Sequence, residues 1–415
     1  MNRDDGWRRH SGNLIRLSWF LAVVALLASM SAGVARAQVP ANIEAQLLKM
    51  GHIVDPGCTA KLYRPLMPPK DIVDQFAEMQ KTGKPSNEVP IYRGVAIYRD
   101  MSFGPNPKDV VDIFTTDKGP ASRPVLIYVP GGVGNKIELQ DREANAFNDN
   151  IARWATQNGM VGVLMQRHGA LPGAGQDYYA GAKDVSAMIQ YLEANVSKYH
   201  GNPDSMFIWA QSAGNGPLGI YAGHPELYGP KGIGVKGIVF MSGQFSILRP
   251  DDSNPVPQPE NPGAVVNALS AAGATCGLKG GAFSVEGVLP GRTPDQPGGQ
   301  AAMPGGFRGF PPGPKLPEDE LIQRSSLPGL EKTDAKILVA SAELDPGVDG
   351  KMSAFNQALH DELCKVDGPN AADGKGHCPA MLFEKGESHM SEIFSVDTSD
   401  KTVSGPILVW IGSIK

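Results

Sequence analysis

The chain has 415 residues, of which 41% are hydrophobic and 20% charged, and its formal net charge is −5. An acidic balance of this kind offers no electrostatic footprint for nucleic acid. The length is sufficient to bury one sizeable α/β core with insertions.

In chain order, Arg8, Arg9 and Arg16 make a basic start, residues 17–30 form an apolar run, and Ala35-Arg36-Ala37 offers a small-x-small cleavage site before Gln38. This pattern predicts an export signal over residues 1–37, with a periplasmic or extracellular destination. The apolar run is short for a membrane span of ~20 residues, and an uncleaved anchor helix is the alternative. Arg8-Arg9 lacks the flanking residues that would separate a twin-arginine route from the general one. Removing the segment takes five Arg and two Asp, which moves the net charge from −5 to −8.

Residues 38–88 read as a helical, loosely ordered arm. Ile43, Leu47 and Met50 recur at helical spacing, Pro65, Pro68 and Pro69 interrupt, and a helix resumes over 71–81. From residue 89 strands and helices alternate. Strands are expected at 91–98, 110–115, 125–129, 160–165, around Phe207, 237–241, 337–342 and 381–384, with helices at 145–157 and along an apolar stripe from Tyr178 to Val196. Such alternation predicts an α/β fold, a mostly parallel, doubly wound sheet of about eight strands with helices on both faces. Between 250 and 317 glycine and proline dominate, which predicts a long insertion carried on that scaffold.

Four cysteines, Cys58, Cys276, Cys364 and Cys378, follow the signal. In an oxidising compartment an even number favours disulfides over metal ligation, with free buried thiols as the alternative. Of the three pairings, Cys364 with Cys378 closes a short polar loop worth ~3 kcal/mol of chain entropy, and elimination pairs Cys58 with Cys276. No cluster has metal spacing, no phosphate-binding glycine pattern follows a strand, and no cofactor is expected.

Chemistry concentrates at Ser212. The apolar run 206–210 meets a serine whose neighbours two away, Ala210 and Gly214, are small enough for a strand to turn sharply into a helix. At such a turn the hydroxyl projects above the sheet edge and the Ala213 N–H points the same way, which suits a nucleophile attacking a carbonyl. A helix N-cap is the plainer reading of that stretch alone. Asp345 stands near the carboxyl end of the expected seventh strand, with Glu343 and Asp349 as competitors. Four histidines follow the serine: His224, His360, His377 and His389. Of these, His389 is expected just past the last strand, on a loop containing Gly386.

The stretch around Ser212 resembles the nucleophile elbow of the α/β-hydrolases, with Ala210 in place of the first glycine. Tyr128-Val129-Pro130-Gly131-Gly132 is similar to the oxyanion turn of hormone-sensitive-lipase-like esterases, with Pro130 and Val133 departing from that motif. Residues 180–213 look like the helix and strand leading to the elbow in carboxylesterase-like enzymes. The resemblance implies a Ser212 nucleophile, a His389 base, an Asp345 orienter, and an oxyanion hole from Gly131, Gly132 and Ala213. Arg167 and Asp184 fall on positions that are structural in those families. The implied activity is hydrolysis of small-molecule or polymer-derived carboxylic esters. A serine peptidase or amidase, or a non-catalytic exported binding protein, are the other readings. Oligomeric state is not legible.

Overall fold

The computed structural model describes residues 38–67, 92–132, 148–167, 179–243, 325–345, 351–365 and 378–414, less a few single positions, together with isolated residues such as Lys136. The expected export signal, the helix at 71–81, the glycine- and proline-rich insertion, Cys276, Asp349 and His377 lie outside these residues.

Eight strands form one sheet: β1 (Ala96–Ser102), β2 (Val110–Thr115), β3 (Arg123–Val129), β4 (Val161–Met165), β5 (Gly201–Gln211), β6 (Gly237–Met241), β7 (Lys336–Leu344) and β8 (Ala380–Ser388). Their spatial order is 1-2-4-3-5-6-7-8. β2 runs antiparallel to both β1 and β4, and every later pairing is parallel. This is the α/β-hydrolase fold.

The sequence selects these strands because both faces of the sheet are covered. Along β3, Val125, Ile127 and Val129 enter one apolar core while Leu126 and Tyr128 enter the other. A strand buried on both sides reads as an unbroken apolar run. The first core is closed by α4 (Ala180–Asn195), α5 (Asn215–Gly223) and α6 (Lys351–Cys364), and the second by α1 (Ala41–Met50), α2 (Pro56–Tyr63), α3 (Asp149–Gln157) and α7 (Ser404–Ser413). Trp209, fully buried, meets Tyr128 and Trp154 edge-on with ring centroids 6.0 and 6.3 Å apart.

Three expectations change. The arm is not loosely ordered over its described part: Ile43, Leu47, Cys58 and Tyr63 are buried, because the second face of the sheet needs an apolar cover that α1 and α2 supply. The first strand starts at Ala96, since Gly94 at φ 75° makes a tight turn that pairs Tyr92 with Val95. The last strand does not stop at Glu384. It continues to Ser388, taking four steps between the pairs Ala342–Glu384 and Leu344–Ser388 where β7 takes two. The bulge turns on Gly386 at φ 80°, whose N–H donates to Glu343 Oε2 at 2.7 Å, so this glycine belongs to the strand and not to a loop.

Cys364 and Cys378 are disulfide-bonded, with Cα atoms 4.1 Å apart. Cys58 is also disulfide-bonded; its expected partner, Cys276, lies outside the described residues.

Candidate active site

Ser212 follows the last residue of β5 and holds φ 53°, a left-handed conformation that a non-glycine residue adopts at a cost of order 1 kcal/mol or more. Close approach of neighbouring backbone sustains it. A Cβ on Gly214 would lie 2.5 Å from the Val129 carbonyl oxygen, and one on Gly131 would lie 2.6 Å from Gln211 Oε1 and 2.9 Å from Ser212 Cβ. Ala210 in place of the first elbow glycine is fully buried in the first core, where its methyl is accommodated.

From the serine a line of hydrogen bonds crosses the carboxyl ends of three strands. Ser212 Oγ donates to His389 Nε2 at 2.8 Å, and His389 Nδ1 donates to Asp345 Oδ1 at 2.9 Å. Asp345 directly follows β7 and His389 directly follows β8; both are buried, while Ser212 is partly open. Glu343 is committed to the Gly386 N–H. His224 contacts Glu226 and the Ser325 carbonyl, and His360 contacts Asp361 and the disulfide, so neither meets the serine.

Gly131 lies against Ser212, and Gly132 holds φ 53° beside it. Arg167, buried just past β4, grips this turn from behind. Its Nη2 donates to the carbonyls of Pro130 at 2.9 Å, Gly131 at 3.3 Å and Gly132 at 3.3 Å. Farther along, Lys136 is buried between Asp112 at 2.6 Å and Asp100 at 2.8 Å. Ala213 lies in the short turn Ser212–Gly214 that leads into α5.

Sequence reasoning missed the polar assembly behind the acid. Glu392, one helical turn after His389, is fully buried; its Oε1 accepts from Gln211 Nε2 at 2.8 Å and lies 4.0 Å from His389 Nδ1. Ser242 Oγ lies 2.7 Å from Asp345 Oδ2 and 2.6 Å from Glu392 Oε2. A single hydroxyl proton cannot serve both carboxylates. One of the two must carry a proton, and burial, reinforced by Asp345 and Glu384, pushes the Glu392 carboxyl well above the ordinary carboxylate range. Glu384 repeats the logic: as an anion neither of its buried oxygens has a donor, and burial first, then Glu387 and Asp345, raise its carboxyl well above the ordinary range. Asp345 meets Ser242 through Oδ2 and keeps Oδ1 for His389 Nδ1. The only advance signal was an acidic residue three positions after the histidine.

The arm reaches the same network. His52 Nδ1 donates to the Asp345 carbonyl at 2.9 Å, and the Tyr63 hydroxyl lies 3.2 Å from Glu387 Oε2 and 3.1 Å from Asp400 Oδ2. From the other side Asn150 on α3 donates to the Ile393 and Val396 carbonyls at 2.8 and 2.9 Å, fixing the segment that follows His389.

No family model matches the sequence, and no curated protein does. Solved structures similar to the chain include esterase B from Lactobacillus rhamnosis, at 11% identity and a TM-score of 0.48, over 82% of this chain and 95% of that one. An esterase from Pyrobaculum calidifontis gives 12% and 0.47 over 91% and 98%. A truncated carbohydrate esterase from gut microbiota gives 13% and 0.46 over 77% and 96%. Likeness at these values carries no argument about activity, which rests on the geometry of the site.

Proposed function

We propose that the protein is a serine hydrolase that cleaves carboxylic esters through an acyl-enzyme on Ser212. The observation that carries this reading is the continuous bond line from Ser212 Oγ through His389 to Asp345, beginning at a serine held at φ 53°. His389 Nε2 accepts the hydroxyl proton as Oγ attacks the ester carbonyl, and Asp345 stabilises the imidazolium that forms. The negative charge on the carbonyl oxygen is met by backbone N–H groups of Ala213 and of Gly131 or Gly132. His389 then gives its proton to the departing alkoxide. Water, activated by the same histidine, attacks the acyl carbonyl and releases the acid.

Hydrolysis of a p-nitrophenyl ester series from acetate to palmitate, beside Ser212→Ala, tests the reading. Turnover is expected to fall by about 10⁴-fold or more in the variant. Activity that survives the substitution would remove Ser212 as nucleophile. If no ester in the series is turned over, failure of a fluorophosphonate to label Ser212 would favour a non-catalytic binding protein instead. We further propose that residues 1–37 direct export, a reading supported by their basic and apolar pattern and by the Cys364–Cys378 disulfide. Mass spectrometry of the protein from a periplasmic fraction should find a mature chain beginning at Gln38.

A further inference from the structure

A cluster far along the chain from Ser212 is built for different chemistry. α6 ends at Cys364, and its disulfide to Cys378 ties that helix to the residue two before β8. His360 sits one helical turn before Cys364, on the same side of α6. Its Nε2 lies 3.4 Å from Cys364 Sγ and 3.6 Å from Cys378 Sγ. The other ring nitrogen, Nδ1, lies 3.0 Å from Asp361 Oδ1 and donates to it. That bond holds the tautomer in which Nε2 carries a lone pair. Nδ1 also lies 3.7 Å from Cys364 Sγ, so the ring lies alongside that sulfur and has to turn about its side-chain bonds for the lone pair to meet an ion shared with the sulfurs.

The separations fit a metal centre. A tetrahedral zinc ion with bonds of ~2.0–2.1 Å to nitrogen and ~2.3 Å to sulfur places the two ligand atoms about 3.5 Å apart. The imidazole nitrogen already stands at that distance from each sulfur, and a carboxylate behind the histidine is the usual outer support of a zinc-binding imidazole. All three residues are half-buried, and Cys378 lines an open surface groove with Pro379 and Trp410, which gives an ion a way in. What stands between this cluster and a metal site is the sulfur–sulfur bond and a turn of the imidazole.

We propose that reduction of the Cys364–Cys378 disulfide by a dithiol converts His360, Cys364 and Cys378 into a binding site for a thiophilic divalent cation, zinc foremost, with water as fourth ligand. The dithiol supplies two electrons and two protons; the protein bond breaks into two thiols and the dithiol closes to its own disulfide. Zinc then binds the two thiolates and the neutral imidazole, releasing the two thiol protons to solvent. The ion takes over the tie between α6, which follows the strand leading to Asp345, and β8, which leads to His389. This site stands independently of the esterase reading.

The test is zinc binding by the full chain, reduced anaerobically with dithiothreitol, desalted, and titrated in competition with a chromophoric chelator. One tightly held zinc per reduced chain is expected, and none in the oxidised chain. His360→Ala should weaken binding by 10-fold or more, and Asp361→Asn, which removes only the outer support, by about 10-fold. A reduced wild-type chain that takes up no zinc overturns the proposal. So does zinc held with unchanged affinity by His360→Ala, or retained by reduced Cys364→Ser, which would place it on the Cys58 or Cys276 thiols. If Cys364→Ser does not fold, His360→Ala decides alone, because it keeps both cysteines.

Discussion

The two halves of the candidate site are held by opposite means. On the β3–β5 side, Ser212 and the turn at Gly131 are fixed by backbone lying against backbone, with glycines wherever a Cβ would collide and Arg167 as the polar brace. On the β7–β8 side, Asp345 and His389 are fixed by side chains: Ser242, Gln211, Glu392 and Glu384 behind them, and His52 from the arm. The first arrangement stores strain in the main chain and tolerates almost no added volume. The second tolerates shape but depends on protons being in particular places, since its carboxyls are buried close to one another.

Breaking the first half should have the largest effect. Gly131→Ala drives a methyl into Gln211 Oε1 and Ser212 Cβ, which displaces the turn from the serine. A loss of about 10²–10³ in kcat is expected, the usual cost of one oxyanion donor, with KM changed little. Ester kinetics check it. A kcat within a factor of three of wild type would show that the turn has room to move and that the contrast between the halves is false.

Arg167→Met comes next and sharpens the comparison, because it removes a side chain that acts on the rigid half. With its guanidinium gone, three carbonyls lose their shared donor and their peptide planes are free to rotate. About 10-fold to 10²-fold in kcat is expected from misplacement of the groups around the serine. The fluorophosphonate labelling rate should fall in step. An unchanged rate in a variant with a lowered melting temperature would mean that Arg167 braces the fold alone.

The smallest effect, and the one that tests the proton-dependent half, is Glu384→Gln. The folded protein raises the Glu384 carboxyl above its ordinary 4.5, chiefly by burial, so the folded state holds a proton that the unfolded chain releases. The stability it contributes is fully present below pH 4.5 and is lost as pH rises through the folded value. Glutamine is neutral at every pH. The variant should therefore match wild type near pH 4.5 and melt higher at pH 8, by on the order of 2 °C or more. Thermal melts across that range check the sign; a variant that melts lower at pH 8 would show Glu384 to be ionised and paired in the folded protein.

Much of this site was legible in the amino-acid order because the pieces are local. An apolar run that ends in Ser212 between small residues specifies a turn whatever surrounds it, and Asp345 and His389 follow buried runs whose strand character is set by composition. The length of β8 was not legible, because Gly386 reads as a loop former until Glu343, 43 residues earlier, satisfies its N–H. Nor were the partners of the acid: Ser242 and Glu392 are 150 positions apart, and Gln211 and Glu392 are 181 apart. Sequence spacing carries no information about such contacts. The same holds for His360, whose i,i+4 relation to Cys364 was present in the text but acquires meaning only when β8 delivers Cys378 to the same point. Short-range sterics and burial set the existence of the eight strands, the turn at Ser212 and the chain order Ser212, Asp345, His389, and all of these are readable from residue order. The ends of the first and last strands, the raised buried carboxyls and the side chains that brace the turn are not, because desolvation and hydrogen-bond partnership exist only once distant segments have met.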